Sequence, residues 1–164
     1  MTSSSPKIVD ILNDDDETIL HTTVHPPKTT KENAESIILL HGGPGVPEEY
    51  LELADILTTK YQVICFQQRG TGQSKNPSKN YSMEAYISDI EAIADHLELT
   101  KFHLFGQSWG GLYAQLYAQT HPERIHTLWL SSPSSGTNDL WGEVEKEVLA
   151  YNQAHCTDWE FLKM

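Results

Sequence analysis

Three short apolar runs in this chain each end in a glycine-rich turn, and each is followed by a stretch of helical periodicity. Ser36–Leu40 leads into His41-Gly42-Gly43-Pro44-Gly45, and Gln62–Phe66 leads into Arg69-Gly70-Thr71-Gly72-Gln73-Ser74. Lys101–Phe105 leads into Gly106-Gln107-Ser108-Trp109-Gly110-Gly111. Runs this short and this apolar read as strands buried on both faces. The segments Glu48–Thr59, Ser82–Leu97 and Trp109–Gln119 carry apolar residues at helical spacing, and Ser82 is placed to cap the second of them. Strands alternating with helices over short connections predict an α/β protein with a mostly parallel central sheet. Sites in such a sheet form at the C-terminal ends of its strands, where all three glycine-rich turns fall.

The flanks complete the outline. Lys7–Leu12 and Thr18–His25 read as a β-hairpin around the acidic turn Asp14–Glu17. That turn is expected to be a solvated tip and not a metal loop, since no second ligand cluster faces it. Ile125–Leu130 reads as a further strand, and Asp139–Asn152 as a helix after a Ser/Gly/Pro loop. The expected organisation is a core over residues 1–138, with 139–164 opening a helical cap.

Charge narrows the function classes. With 11 basic and 23 acidic side chains the formal net charge is −12. Such a chain is a poor ligand for nucleic acid or anionic membranes. No window reaches the apolar length of a membrane span, and Met1–Pro6 lacks the apolar stretch of a secretory signal. Cys65, inside an apolar run, is expected to be a buried thiol. Two isolated cysteines, Cys65 and Cys156, fit a reducing cytoplasm. No residue pattern calls for a metal or other cofactor.

The turn 106–110 is G-x-S-x-G between a predicted strand and a predicted helix, the context in which that pattern has chemical meaning. The bland alternative for Ser108 is a helix-capping serine. In the chemical reading its hydroxyl is pushed out of the fold as a nucleophile. Gly106 and Gly110 then allow strand and helix backbones to pass closely. Acyl transfer builds negative charge on a carbonyl oxygen, and backbone N–H groups aimed at it lower the barrier. Gly43 and Trp109 are the candidates to supply those groups as an oxyanion hole. His41 is read as a turn-stabilising group in preference to a base. Arg69–Ser74 lacks the spacing of a phosphate-binding loop and reads as a structural turn.

His41–Gly45, Gln68–Ser74 and Gly106–Gly111, taken in order, resemble the α/β-hydrolase superfamily. Within it the chain is most similar to the proline iminopeptidase-like serine peptidases. His121-Pro122-Glu123-Arg124-Ile125 resembles that family's link from the nucleophile helix into the next strand. The resemblance covers about Lys7 to about Leu130. It implies an α/β-hydrolase fold with an N-terminal β-hairpin, Ser108 as nucleophile, and Gly43 and Trp109 as oxyanion donors. The implied activity is release of an N-terminal proline from a small peptide; an esterase or carbon–carbon bond hydrolase on the same fold is the alternative. Gln67 stands where the family usually has aspartate, a change expected to alter turn hydrogen bonding more than chemistry.

The resemblance also implies what is missing. The family's order is Ser, then acid, then His, on loops after later strands. Here one predicted strand follows Ser108. His121, His126 and His155 are poor stand-ins for the base, and Asp139 and Asp158 for the acid. The triad acid and His are therefore expected to lie outside this chain, with the late strands. Glu143, Glu145 and Glu147 read as an exposed acidic helix face. On this reading the chain is an N-terminal part, inactive alone or a non-catalytic binding protein. Ile125–Leu130 is left as a sheet edge, one sheet face lacks a covering helix, and self-association through that edge is expected.

Overall fold

The computed structural model describes residues 5–28, 34–46 and 50–135, with 142–143, 146–147 and 150. Backbone contacts divide the chain into two units, Met1–Ser134 and Ser135–Met164. The first holds the sheet and everything below. Most of the helix expected over 139–152 lies outside the described residues, as do His155, Asp139, Asp158 and Glu145. Within the second unit, Glu143 and Glu147 are exposed.

The sheet has six strands in the order β1-β2-β4-β3-β5-β6. The N-terminal hairpin pairs β1 (Lys7–Asn13) with β2 (Thr18–His25) antiparallel, and β2 continues antiparallel onto β4 (Gln62–Phe66). The rest is parallel: β4 with β3 (Ser36–Leu40), β3 with β5 (Phe102–Gln107), and β5 with β6 (Ile125–Ser131). All five residues of β3 are buried, as its apolar run requires of the strand between β4 and β5.

Alternating side chains of the central strands build two cores. Ile38, Leu40, Ile64, Phe66 and Leu104 pack with Tyr86, Ile90, Tyr113 and Tyr117 of α2 (Met83–His96) and α3 (Trp109–Thr120). Ile37, Leu39, Val63 and Cys65 face the other way, against α1 (Leu51–Leu57). The face expected to lack a helix thus carries α1 over part of its width. Cys65 is a buried free thiol. Ser82 caps α2, its Oγ accepting from Ala85 N at 3.3 Å.

Boundaries of β5 and α1 differ from the sequence expectation in ways that bear on the site. β5 runs to Gln107, two residues past Phe105, because its ladder with β6 continues through Gly106↔Leu130 and Gln107↔Ser131. α1 begins at Leu51, with Tyr50 at its cap position and still packed against the core beside Leu53 and Leu57. Among the described residues β6 is an edge strand, with Trp129 48% and Leu130 40% exposed. No described helix is long and apolar enough to cross a membrane.

Candidate active site

β5 delivers the chain to a turn that only special residues can make. Ser108 has φ 51 and ψ −118, a strained backbone for a non-glycine residue. Ladder pairing on one side and α3 on the other hold it there. Its N–H donates to Ser131 O at 3.1 Å, and its carbonyl accepts from Gly111 N at 3.0 Å and Ser134 N at 3.0 Å. The capping alternative fails on geometry, since the Ser108 side chain makes no capping hydrogen bond to α3. The glycines around it are spatial necessities. A Cβ on Gly106 would lie 2.6 Å from Gly110 O, and one on Gly110 would lie 2.2 Å from Leu40 O. The second distance adds to the sequence reading: Gly110 lets α3 pass the end of β3 as well as its own strand.

Leu40 O belongs to the last residue of β3, and the His41–Gly45 turn continues from it. Gly43 adopts φ 58 there, in the left-handed region that favours glycine. Among the described residues no hydrogen bond engages the N–H of Gly43 or of Trp109, the first residue of α3. Helix N-termini carry such unpaired N–H groups and a positive dipole end, which suits a developing oxyanion. The β3 and β5 turns are neighbours because their strands pair up to Leu40↔Gly106. Beside them a cavity of about 380 Å³ is walled by Pro44, Gly45, Gly70, Tyr81, Tyr86 and Trp109. Tyr86 and Trp109 meet edge to face, with centroids 5.8 Å apart.

His41 is buried and fully occupied by its turn. Its Nδ1–H donates to Gly42 O at 2.8 Å, and its Nε2 accepts from Gln68 N at 3.3 Å. The Gln68 side chain returns a bond to His41 O at 2.8 Å. His41 thus ties the β3 turn to the β4 turn, matching the turn-stabilising reading and leaving no nitrogen for proton transfer.

The β4 turn is closed. Arg69 is fully buried, and all five of its N–H donors have acceptors: Asp89 twice, Asp16, Asn80 O and Ala85 O, at 2.7–2.9 Å. Burial pushes the Asp89 carboxyl up from its ordinary range, against the pull of the bidentate Arg69. Burial also raises Asp16, but hydrogen bonds from Thr18, Arg69 and Ser78 outweigh it and hold that carboxyl at about 2. The acidic turn is exposed at Asp14, Asp15 and Glu17, as expected of a solvated tip, with Asp16 the exception. Asp16 reaches into the fold and neutralises the guanidinium with Asp89. A phosphate would find no free donor on Arg69, which supports the structural reading of this turn. Gln67 Oε1 accepts from Gln73 N at 2.6 Å, the turn-bonding role expected of it.

Sequence reasoning missed two parts of this region. Arg69 reads in the sequence as a turn residue, yet Asp89 carries a signal: it lies on α2 among Tyr86, Ile90 and Ile93, and a carboxylate on a core-facing stripe demands a cation. Tyr50 reads in the sequence as one more apolar residue of the Glu48–Thr59 face, and its ring does pack against the core on the α1 side. Its hydroxyl in fact accepts from Gly42 N at 3.3 Å and donates to Gln107 Oε1 at 3.0 Å.

Among the described residues, neither His121 nor His126 is brought to Ser108. His121 caps the far end of α3, twelve residues of helix and roughly 18 Å from its start. It stacks on Tyr117 with centroids 4.8 Å apart. His126 is the second residue of β6, at the end of the sheet opposite the turns, beside His103 and Glu35. Among the described residues no group of three or more His, Cys, Asp and Glu could hold a metal ion.

The strand–turn–helix at Ser108 and the glycine loop beside it define a protein of the α/β-hydrolase class. The family profile described as alpha/beta hydrolase fold matches residues 35–154, and the chain belongs to that family. Among curated relatives it is similar to proline iminopeptidases. That of Lactobacillus helveticus is 40% identical over 121 residues, covering 70% of this chain and 41% of its own. That of Clostridium botulinum is 36% identical over 123 residues, covering 73% of this chain and 42% of its own. The chain thus spans about two fifths of the length of the curated relatives it matches. Among solved structures, the proline iminopeptidase of Mycobacterium smegmatis superposes with a TM-score of 0.74 at 24% identity, covering 90% of this chain and 50% of that one. The 2-hydroxy-6-oxo-6-phenylhexa-2,4-dienoate hydrolase of Rhodococcus sp. strain RHA1 gives 0.64 at 21%, covering 79% and 47%. At these identities the superpositions show the fold alone.

Proposed function

We propose that this chain carries the nucleophile and oxyanion hole of a serine hydrolase that removes N-terminal proline from small peptides. Ser108 is the nucleophile, and the Gly43 and Trp109 amides hold the oxyanion. The observation that carries the reading is the strained Ser108 backbone, with the side chain free of any capping role. The peptidase assignment rests on the named relatives, all proline iminopeptidases. In the complete site a His takes the Ser108 proton, Ser108 attacks the carbonyl carbon, and the leaving amine takes the proton from the imidazolium. Water then hydrolyses the acyl-enzyme by the same path.

His41 is committed to its turn, and His121 and His126 lie away from Ser108, so the base comes from outside the described residues. Removing the base of such a triad costs on the order of a million-fold in turnover. Until that base is supplied, Ser108 is expected to turn substrate over slowly at best. The same reading places the protein in a reducing cytoplasm, on the two isolated cysteines. It also makes β6 a surface for self-association, on the exposed Trp129 and Leu130.

A fluorophosphonate probe tests the reading. Modification, slow without the base, should map to Ser108 by mass spectrometry; label on another residue defeats the reading. Prolyl-naphthylamide against p-nitrophenyl acetate then separates peptidase from esterase. Ultracentrifugation over a concentration series tests the edge, and a monomer throughout rejects that part.

A further inference from the structure

We propose that Tyr50 is a positioning residue whose hydroxyl straps the oxyanion loop to the nucleophile turn. The inference rests on the roles given above to Ser108, Gly43 and Trp109. The backbone ladder between β3 and β5 ends at Leu40↔Gly106. Beyond that pair the two chains diverge into the turns that would carry the oxyanion donors, and the β-ladder no longer sets their separation. Two N–H groups on separate loops must converge on one oxygen, and misplacement by about 1 Å can cost a hundredfold in rate.

Tyr50 spans this gap. Its hydroxyl accepts from Gly42 N at 3.3 Å and donates to Gln107 Oε1 at 3.0 Å. Gly42 adjoins Gly43, and Gln107 adjoins Ser108, so the strap grips each arm one residue from its working group. The Gln107 amide lies over Gly42, where a Cβ would sit 2.2 Å from Gln107 Oε1. Any side chain at 42 would displace that amide, so glycine there leaves room for the strap. The Tyr50 ring is braced edge-on against Phe105 of β5, with centroids 5.9 Å apart and planes at 87°. The hydroxyl is thereby aimed by packing that survives its removal.

The test uses the full chain with Tyr50→Phe, Gln107→Met and the double variant. The first readout is inactivation of Ser108 by an alkyl fluorophosphonate, separated into reversible affinity and bond-forming rate. The expected result is about a tenfold fall in the bond-forming rate for each single variant, with affinity unchanged and no further fall in the double. The second readout is amide hydrogen exchange by NMR. Exchange at Gly42 should rise about tenfold in Tyr50→Phe, while Ile38 in β3 stays protected, showing an intact sheet. A wild-type rate in Tyr50→Phe, or losses that multiply in the double variant, overturns the proposal. If the unmodified chain does not label, the rate comparison is lost and the exchange readout stands alone. Gly42 exchange then decides the strap: a rise upholds it and no change overturns it.

Discussion

The turn after β4 and the turn after β5 begin alike. Each leaves a parallel strand at the same end of the sheet, and each is rich in glycine. They differ in what they do with their polar groups. The β4 turn satisfies every donor of Arg69 and bonds Gln67 to Gln73. The β5 turn holds Ser108 in a strained conformation with its side chain uncommitted to α3 and the Trp109 amide open. A turn that closes its hydrogen bonds stabilises a fold, and one that leaves them open while enforced by its surroundings can meet a ligand. Glycine content alone does not distinguish the two.

The contrast breaks first at Ser108. Ser108→Ala should abolish fluorophosphonate labelling and leave the urea midpoint within experimental error of the parent; residual label at the same peptide would contradict it. The opposite pattern is expected at Arg69. Arg69→Met strands the buried Asp89 carboxylate and should cost about 3–5 kcal/mol in urea unfolding. A loss under about 1 kcal/mol would show that the network is not what closes this turn.

Smaller effects sharpen the same comparison. Gly110→Ala drives a Cβ into Leu40 O, and the backbone shift should cost about 1–3 kcal/mol and slow labelling. The Asp16 carboxyl is held at about 2, below its unfolded value, so its contribution is full above about pH 4 and is lost as pH falls toward 2. That contribution is about 2 kcal/mol, and it should disappear from the acid limb of the stability profile in Asp16→Asn. An acid limb unchanged by the substitution would place the sensitivity elsewhere.

Much of the framework was legible in the chain because it follows from local pattern. The apolar runs of β3 and β4 could only be buried strands, and the residues of α2 show their cap and core stripe in order. G-x-S-x-G between strand and helix marked Ser108. The Arg69 network was legible only in the need of Asp89 for a cation, since the partners Asp16 and Asp89 lie 53 and 20 residues from Arg69. Tyr50 was hidden for a related reason: a tyrosine among leucines reads as apolar until its hydroxyl is seen between two turns.

The residues by themselves determined the α/β class, the strand ends where a site could form, and the serine at the sharpest of them. Each of these depends on spacing along a few neighbouring positions and on the backbone freedom of particular residues. Only the tertiary structure decided which glycine-rich turn is open and which is closed. It alone turned Asp16 of the acidic hairpin tip onto Arg69 and laid Tyr50 between Gly42 and Gln107. Those outcomes depend on which groups meet across the sheet, and hydrogen bonds between distant residues have no periodicity to betray them.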